Sequence, residues 1–511
     1  MNIIKEKFYT RFPIRKIIII FLIFIMIYGL FACAKDNSEN TGNGEKDKNY
    51  NAAEGYGNEQ ETDAKINRWA QEPSDLPDNN FNGSGFMVIV PDDTENRVYN
   101  YFAVEDQNGE PIIDAIYKRN LAIEERYNIT VNQVNKPNPT ETVRKSILAG
   151  DSEYNLIVDA MYNMRSLTNE NLIADLYNVP YIGDNLDKPW WDQALKRDLS
   201  INKKLYFETG NIVLKDKMRL ACLYFNKDMC QSLEIEYPYK YVYDGTWTID
   251  KLMEITKGIN QDLDGNGVMD QYDRWGMMSE HGFALMAFQG AGETTVSLNK
   301  DGVPEITMNT PRAISVIQKI LSFCTDSVAL FHADTIKGVN DIWLTASEYF
   351  QENRFLVRSS LFEAIPRDLR AMPADFGVLP MVKFDEQQGN YYTYASADGY
   401  FISIPSNADI EYVGLITEAL AYESGTTLMP AFYDLSLTTK VLRDNESEGM
   451  LDIMFNNKVY DIGYIYGIGS LPTLLTDMVK AGKTDFVSSF EKIHVSAEKA
   501  LEKFIAAYDK D

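Results

Sequence analysis

The fold is decided by an alternation of strands and helices that is clearest in residues 129–176, ITVNQVNKPNPTETVRKSILAGDSEYNLIVDAMYNMRSLTNENLIADL. Residues 129–134 alternate apolar and polar side chains like a half-buried strand, and residues 141–148 follow with helical spacing of the apolar residues. Tyr154 to Asp159 is a short apolar run typical of a buried strand, and residues 169–176 predict another helix. This rhythm predicts parallel strands covered by helices.

The same rhythm extends in both directions along the chain. A strand is predicted at Phe86 to Val90 and a helix at Pro111 to Tyr127, where apolar residues recur at helical spacing. Further strands and helices are predicted at residues 220–225, 249–259, 311–324, 355–359, 376–379 and 400–404, and mostly helix from Ile410 onward. The body of the chain is therefore predicted to be α/β.

Composition excludes several classes of protein. The 511 residues include 75 acidic and 49 basic side chains, so the formal charge is −26. Such a surface repels phosphate backbones, and we expect no nucleic-acid partner. With four cysteines and three histidines, a disulfide scaffold and a multi-histidine zinc site are also improbable.

The N-terminus has the pattern of a secretion signal. A basic segment precedes the uncharged, mostly apolar run Ile17 to Leu30, which is shorter than the ~20 residues that a membrane span needs. The run ends in Leu30-Phe31-Ala32-Cys33, which resembles the lipobox of bacterial lipoproteins. The resemblance implies that residues 1–32 are a signal peptide and that Cys33 receives the lipid that anchors the protein to the membrane. The alternative is an uncleaved anchor helix, and either arrangement places the body of the chain outside the cytoplasm.

A polar segment separates this signal from the body. Residues 33–75 are rich in Asn, Glu, Gly, Lys and Asp, and they contain too few apolar residues to offset the entropy of folding. We therefore predict a disordered tether. No later segment is long and apolar enough to cross a bilayer.

Four ordered groups of motifs carry a family resemblance. Residues 154–176 contain YNLIVD and LIADL, residues 223–252 contain LYFNKD and GTWTIDKL, residues 375–405 contain DFGVLP and GYFISIP, and residues 418–425 read EALAYESG. In this order and spacing they resemble the extracellular solute-binding proteins of ABC importers, in the carbohydrate-binding branch that includes maltose-binding protein.

This resemblance implies a periplasmic-binding-protein type II clamp, with two lobes of mixed or parallel sheet, flanked by helices and joined by a hinge that the chain crosses several times. The first lobe is predicted to hold residues 76–217 plus about 395–441, and the second residues 218–394 plus about 442–511. The implied function is capture of a small molecule, expected to be a carbohydrate or oligosaccharide, for ABC permease subunits in the membrane. The protein is expected to act as a monomer and to have no enzymatic activity.

The fold predicts where ligand-binding residues lie. In open α/β sheets ligands bind beyond the carboxyl ends of the strands. This rule selects residues that follow or flank three predicted strands: Asp159, Met161 and Tyr162, then Ser360, Phe362 and Glu363, and finally Asp398. For Met161 the alternative is a place in the core.

The family pattern adds a second group of candidates. It places Arg219 where the chain first crosses between lobes, and it aligns Ser279 to Phe283, which includes Glu280 and His281, with a stretch that faces the cleft. Tyr464, with Tyr466, matches the region of a C-terminal cleft aromatic. Aromatic rings cover the apolar faces of a sugar, and carboxylates and arginine bind its hydroxyls. The alternatives are a core position for Phe283, a surface turn for His281 and half-buried packing for Tyr464.

The adjacent Trp190 and Trp191 allow two interpretations. They form either an aromatic platform at the cleft mouth or a buried anchor in the first lobe. A Cys222–Cys230 disulfide is conceivable, although we expect Cys222 to be an inert residue in a buried strand.

Residues 262–273, DLDGNGVMDQYD, have the pattern of an EF-hand-type calcium loop. The side-chain ligands would come from Asp262, Asp264, Asn266, Asp270 and Asp273, with the carbonyl of Val268 and the sharp turn at Gly267. Asp273 replaces the usual Glu at the last position, which should weaken affinity. We expect a structural Ca²⁺ that fastens a loop between helices; the alternative is a solvated acidic loop.

Two other functions remain open at this point. A tethered glycoside hydrolase would need two carboxylates at a catalytic separation, and no motif places such a pair. A lipoprotein that binds peptides, or that captures surface glycans without import, would share the anchor and the clamp.

Overall fold

A computed structural model of the protein describes residues 71–93, 99–326, 328–438 and 445–508. The predicted signal peptide, Cys33 and the tether up to residue 70 lie outside the described residues. Among the described residues, no helix is long and apolar enough to span a membrane.

The strands are short and recur along the chain. They are Ser84–Pro91 (β1), Ile129–Lys136 (β2), Leu156–Ala160 (β3), Ala221–Asn226 (β4), Trp275–Ser279 (β5), Val296–Leu298 (β6), Pro304–Ile306 (β7), Leu330–His332 (β8), Phe355–Leu361 (β9), Phe376–Leu379 (β10), Thr393–Tyr394 (β11), Tyr400–Ser403 (β12) and Lys458–Val459 (β13).

Helices fill the intervals and dominate the C-terminal part. They are Pro111–Tyr127 (α1), Pro139–Ala149 (α2), Met161–Asn169 (α3), Ile182–Asn185 (α4), Gln193–Leu199 (α5), Lys215–Met218 (α6), Lys227–Ser232 (α7), Tyr239–Tyr243 (α8), Ile249–Thr256 (α9), Phe283–Gly290 (α10), Pro311–Cys324 (α11), Ile342–Gln351 (α12), Ala364–Arg367 (α13), Ile410–Thr426 (α14), Leu428–Thr438 (α15), Asn445–Asn456 (α16), Ile462–Tyr466 (α17), Leu471–Lys480 (α18), Phe486–Glu491 (α19) and His494–Tyr508 (α20).

Local sequence explains the bounds of the first long helix. The Glu110 carboxylate accepts a hydrogen bond from the Ile113 N–H, and Pro111 occupies the first turn, where no backbone donor is needed. Asn128 ends α1 in the left-handed conformation at φ 49°. The predicted helix over Pro111 to Tyr127 is thus confirmed at both ends.

The first sheet forms the centre of one lobe, which we call the first lobe. Its strand order is β12-β3-β1-β2. The strands β1, β2 and β3 are parallel, as predicted, and β12 joins β3 in antiparallel orientation. The central strand β3 is buried along its whole length, because helices and loops cover both faces.

The second sheet forms the centre of the other lobe, called the second lobe. Its order is β10-β4-β9-β5-β8, with β9, β5 and β8 parallel and β10 and β4 antiparallel to their neighbours. Both sheets therefore contain parallel and antiparallel pairs of strands. Beside the second sheet, the buried Trp247 side chain donates its indole N–H to the Pro380 carbonyl.

The chain passes between the two sheets more than once. It leaves the first sheet after β3 and enters the second at β4, and it returns between β10 and β12. Of the C-terminal helices, α15 packs on α1 of the first lobe and α16 packs on β10 of the second. The precise lobe limits given above stay a prediction, and the limit near residue 441 lies outside the described residues.

One predicted helix is wrong. Residues 170–175 are not helical; the helix is α3, Met161–Asn169, which directly follows β3. Met161, Met164 and Leu167 are its buried apolar residues, and their spacing of three gives α3 its apolar face.

Candidate functional site

Two segments carry the chain between the sheets: the first crossing, between β3 and β4, and the second crossing, between β10 and β12. A cavity of about 380 Å³ lies where these crossings meet the strand ends of both lobes. Asp93 follows β1 of the first sheet, whereas Ser360 and Leu361 end β9 of the second. The remaining lining residues are Lys215, Arg219, Glu280, Met286, Asp341, Trp343, Glu363, Arg367, Tyr394, Ser396 and Asp398.

Arg219 joins the two crossing segments. It follows α6 on the first crossing, and its carbonyl accepts the N–H of Ser396 on the second at 3.1 Å. Its guanidinium forms an ion pair with Glu363, and its Nη2 lies 2.5 Å from Oδ2 of Asp398. One side chain thus connects the end of the second sheet with the segment that leads back to the first.

Glu363 is an acid of the cavity that pairs with two arginines. It binds Arg219, and its Oε1 lies 3.2 Å from Nη1 of Arg367. Burial raises the pKa of Glu363, and the two guanidinium groups oppose that rise. The carboxylate is therefore held by protein cations.

A second ion pair closes the side of the cavity nearest the first sheet. Lys215 pairs with Asp93, and its ammonium lies 4.4 Å from the centre of the Tyr400 ring. Burial raises the pKa of the Tyr400 hydroxyl, so the ring that packs against the Lys215 ammonium is uncharged. Neither Lys215 nor Asp93 was predicted from the sequence, although Asp93 obeys the strand-end rule.

Glu280 directly follows β5 and is only 9% exposed. Its Oε1 has no hydrogen-bond partner among the described residues. Burial raises the pKa of Glu280, and the nearby Arg358 guanidinium acts in the opposite direction. The side chain therefore presents an unused acceptor at the cavity.

Trp343 supplies an exposed aromatic ring at the start of α12. The Asp341 carboxylate accepts the Leu344 N–H at 3.0 Å and so begins the helix. The buried Arg358 donates to the Trp343 carbonyl at 3.0 Å and to Ser347 Oγ at 2.7 Å, which fixes the same helix from below. The ring itself is 55% exposed. The sequence signal for this ring is an Asp helix cap with Trp two positions later, and the predicted site residues do not include it.

The structure brings five of the predicted ligand-binding residues to this cavity. They are Arg219, Glu280, Ser360, Glu363 and Asp398. They come from the first crossing, the ends of β5 and β9, and the second crossing. The rule about strand ends selected Ser360, Glu363 and Asp398, and the family pattern selected Arg219 and Glu280.

Asp159 lies elsewhere and is not an exposed acid. It is 1% exposed, and it accepts hydrogen bonds from Thr140 Oγ1 at 2.7 Å, Thr140 N at 3.3 Å and Asn163 Nδ2 at 3.0 Å. Its carboxylate caps the N-terminus of α2. The premise of an open cleft carboxylate is wrong for Asp159, because the protein itself satisfies this side chain.

Three apolar candidates are core residues. Met161, Phe283 and Phe362 are 0%, 2% and 1% exposed, respectively. Phe283 packs edge-on against Phe323, and Phe362 packs edge-on against Phe455. For these residues the prediction of a cleft position is corrected, because an apolar side chain that follows a strand turns into the core.

Tyr162, His281 and Tyr464 lie near the cavity without lining it. Tyr162 is 47% exposed, and its N–H donates to the Ala397 carbonyl at 3.3 Å. The Tyr464 hydroxyl lies 3.4 Å from Ser396 Oγ.

His281, next to Glu280, is held by two partners. Its Nδ1 lies 2.7 Å from Asp334, and its ring stacks on His332 with the ring centres 4.6 Å apart.

Trp190 and Trp191 form a buried anchor and not a platform. Their indole N–H groups donate to the two oxygens of Glu418 at 2.7 and 2.8 Å, respectively. The pKa of Glu418 is raised to about 8, because burial outweighs the two indole donors, which lower it. The geometry, with one donor on each oxygen, suits the ionised carboxylate. The interpretation as a burial anchor is confirmed.

Cys222, Cys230 and Cys324 are free and buried. The Cys222–Cys230 disulfide is therefore wrong. Burial raises the pKa of Cys222 and of Cys230 to about 12, so both are unreactive thiols.

The acidic loop at residues 262–273 is folded back on itself. Oxygens of Asp262, Asp264 and Asp273 lie within 4.8 Å of one another. Asp262 accepts the N–H groups of Gly265 and Gly267 at 2.7 and 2.9 Å, which lowers its pKa.

The other side-chain positions of this loop also bind its backbone. Asn266 Oδ1 accepts the Val268 N–H, Asp270 Oδ1 accepts the Tyr272 N–H, and Asp273, fully buried, accepts from Leu263 and Asp270. The loop follows α9 and leads into β5, so the expectation of a loop between helices is wrong.

Several solved structures share this architecture. A cyclo/maltodextrin-binding protein complexed with maltotetraose is 16% identical to this chain, with a TM-score of 0.54, and the match covers 83% of this chain and 97% of that chain. UspC from M. tuberculosis is 15% identical with a TM-score of 0.52, and the match covers 81% of this chain and 100% of UspC.

The maltose-binding periplasmic protein MalE from Listeria monocytogenes, in complex with maltose, is 13% identical with a TM-score of 0.52, and the match covers 84% of this chain and 99% of that one. No family model and no curated protein matches the sequence. The chain has the two-lobe α/β fold of these maltose- and maltodextrin-binding proteins, which confirms the predicted fold class and the structural side of the predicted resemblance.

Proposed function

We propose that the protein is the ligand-capture subunit of an ABC importer and that it binds a carbohydrate in the 380 Å³ cavity between its lobes. The observation that carries the proposal is the composition of this cavity. Side chains from both sheets and from both crossing segments line it, and three of them hold buried polar atoms without a partner among the described residues: Arg219 Nε, Glu280 Oε1 and Asp398 Oδ1. Buried polar atoms without partners are rare in folded proteins, and a polar ligand would satisfy them.

These groups suit the two kinds of surface on a sugar. The exposed ring of Trp343 is available for the apolar C–H face. Glu280 and Asp398 accept hydrogen bonds from hydroxyl groups, and Arg219 donates one. Charged partners make these hydrogen bonds stronger than neutral ones.

The position of Arg219 couples binding to closure. The two segments that cross between the lobes meet at this residue, and its guanidinium bridges Glu363 and Asp398. A ligand that contacts both lobes favours the closed arrangement over the open one by the contacts it gains on closure. We assign no catalytic residue, and turnover of a glycoside at an enzymatic rate would contradict the proposal.

The proposal includes anchoring outside the cytoplasm. The lipobox at Leu30 to Cys33 supports a lipid on Cys33, and the polar segment that follows supports a tether from which the protein delivers sugar to permease subunits. Cys33→Ala should release the protein from the membrane fraction or leave it unprocessed. Unchanged fractionation together with unchanged mass would refute the anchor.

A structural Ca²⁺ in the 262–273 loop is also proposed. The clustering of Asp262, Asp264 and Asp273 oxygens supports it. At 100 times its dissociation constant, a ligand of the native state stabilises the fold by about 2.7 kcal/mol. Calcium should therefore raise the melting temperature of the wild type but not of Asp262→Ala, and Asp301→Ala, outside the loop, should behave like the wild type. An equal response of all three proteins would contradict the site.

The test of carbohydrate binding is a thermal-shift screen against a sugar library, followed by calorimetric titration of the best sugar. We expect a stacking role to appear as a loss of affinity in Trp343→Ala and substantial retention in Trp343→Phe, which keeps a ring. Leu148→Ala, an exposed apolar residue on α2, serves as the control and should bind normally. If no sugar stabilises the protein, or if both Trp343 variants bind like the wild type, the proposed site is wrong.

A further inference from the structure

The cavity contains more acidic than basic side chains. Five acids line it, Asp93, Glu280, Asp341, Glu363 and Asp398, against the three bases Lys215, Arg219 and Arg367. All three bases are used by the protein. Lys215 binds Asp93, Arg219 binds Glu363 and Asp398, and Arg367 binds Glu363 and Asp368.

Two acids of the cavity, Glu280 and Asp341, form no ion pair among the described residues. Asp341 is exposed to solvent and caps α12, whereas Glu280 is buried. Glu280 is nine-tenths buried, it lines the cavity, and its Oε1 has no partner in the described part of the chain. Among the described residues that line the cavity, Asp398 Oδ1 is the other buried acceptor oxygen without a hydrogen-bond partner.

Arg358 acts electrostatically on Glu280, but the described residues show no ion pair between these two side chains. Arg358 attracts the carboxylate, but its Nη1 and Nη2 donate to Ser347 Oγ and to the Trp343 carbonyl. Burial is the larger influence and raises the pKa of Glu280. Asp334 adds further negative potential at Glu280.

We propose that the ligand is an amino sugar whose protonated amine binds at Glu280, an inference that rests on the proposed carbohydrate capture. A hydroxyl group would satisfy the hydrogen bond of Oε1 but would leave the excess negative charge buried. An ammonium group satisfies both, because it donates up to three hydrogen bonds and carries the missing positive charge.

The aromatic wall supports the same ligand. Trp343 exposes its ring at the cavity, and the face of an indole attracts a cation as well as the C–H face of a pyranose. The excess of acids disfavours a uronate, since its carboxylate would add to the unanswered negative charge. The cavity therefore selects for positive charge on the sugar.

The test is calorimetric titration of the full-length protein in detergent with matched sugars. Each of glucosamine, galactosamine and mannosamine, and short oligomers of glucosamine, is compared with its N-acetyl counterpart and its hydroxyl counterpart. Charged hydrogen bonds predict that the best amine binds about 10- to 150-fold more tightly than both of its counterparts. If a neutral sugar is the tightest ligand, this inference is overturned and carbohydrate capture stands. If no sugar from this set or the wider library binds, both are overturned.

Two substitutions at Glu280 separate charge from shape. Glu280→Gln keeps the size and polarity of the side chain but removes its charge, so it should weaken binding of the amine more than binding of its hydroxyl counterpart and abolish most of the preference for the amine. Glu280→Asp keeps the charge and should retain a preference for the amine. Glu305→Gln, an exposed acid on β7, is the control and should bind like the wild type. An undiminished preference in Glu280→Gln, in protein shown by its melting curve to be folded, would overturn the assignment to Glu280.

Discussion

Asp159 and Glu280 lie in comparable places of the two lobes, and their surroundings differ. Asp159 is in β3, the interior strand of the first sheet, and Glu280 directly follows β5 of the second. Both carboxylates are buried. Asp159 accepts hydrogen bonds from Thr140, Ala160 and Asn163, whereas Glu280 keeps Oε1 without a partner among the described residues.

The difference comes from the element that lies beside each strand end. The N-terminus of α2 points its donors at Asp159, and a helix N-terminus carries partial positive charge. Beyond β5 the His281 N–H, one residue after Glu280, donates to Asp334 at 2.5 Å and not to Glu280. A strand-end acid is therefore structural when a helix N-terminus satisfies it, and it is available to a ligand when the local donors are used elsewhere.

The largest effect that tests this contrast is the loss of stability in Asp159→Ala. Removal of the carboxylate leaves several buried donors without an acceptor, and each such donor costs about 1–3 kcal/mol. We expect the free energy of unfolding to fall by about 3 kcal/mol or more, with the ligand affinity of the folded fraction unchanged. Denaturant unfolding and calorimetric titration measure the two quantities, and Asp151→Ala, an exposed acid nearby, is the control. Unchanged stability with weakened binding would reverse the roles of the two acids.

Glu280→Gln should have the opposite effect on stability: in the absence of ligand, the free energy of unfolding should rise. Since burial raises the pKa of Glu280, the folded protein holds this proton more tightly than the unfolded chain does. The stability contribution is present below the ordinary Glu pKa of about 4.3 and is lost as the pH rises through the folded value. The glutamine variant should therefore gain about 1 kcal/mol over the wild type at pH 7 and less at pH 4. A variant less stable than the wild type at pH 7 would mean that Glu280 has an internal partner.

A smaller loss of stability, in Asn163→Ala, tests whether the protein itself satisfies Asp159. Asn163 donates to Asp159 from α3 at 3.0 Å, and α3 starts directly after β3. Asn163→Ala removes one of the donors and leaves the acid with the others. We expect a loss of about 1 kcal/mol in the free energy of unfolding and no change in ligand affinity. A loss as large as that of Asp159→Ala would show that Asn163 has a role beyond this hydrogen bond.

The sequence predicted the fold well where the apolar periodicity was strong. Residues 111–127 form a helix with the predicted bounds, and the buried strands β1, β3, β4 and β9 lie within two residues of their predicted ends. The helix expected at residues 169–176 failed because the apolar face of α3 begins at Met161, within the stretch chosen for cleft residues. Short apolar segments do not show by themselves on which side of a strand end the helix lies.

The sequence predicts the kinds of position that form the candidate site, namely strand ends and crossings between lobes. It predicts only some of the residues that line the site. Arg219, Glu280, Ser360, Glu363 and Asp398 reach the cavity because crossings and strand ends converge there. Met161, Phe283 and Phe362 do not, since a sequence reveals that a side chain is apolar but not which face of the backbone it leaves.

Contacts between residues far apart in the sequence are the second reason why the predicted site is incomplete. Lys215 was missed because its partner Asp93 is 122 residues away in sequence. Trp343 was missed because its exposure depends on how α12 is fixed by Arg358, a residue of the neighbouring strand β9. Tertiary packing, and not local pattern, decides both.

The most direct test of the central claim is a crystal structure of the protein with its tightest sugar. The account predicts one sugar ring against the indole of Trp343, with polar groups within hydrogen-bond distance of Glu280 Oε1 and Asp398 Oδ1. It also predicts that Asp159 keeps its contacts with Thr140. A sugar bound away from this cavity, or bound in it with Glu280 and Trp343 both more than about 5 Å from the ligand, would contradict the account.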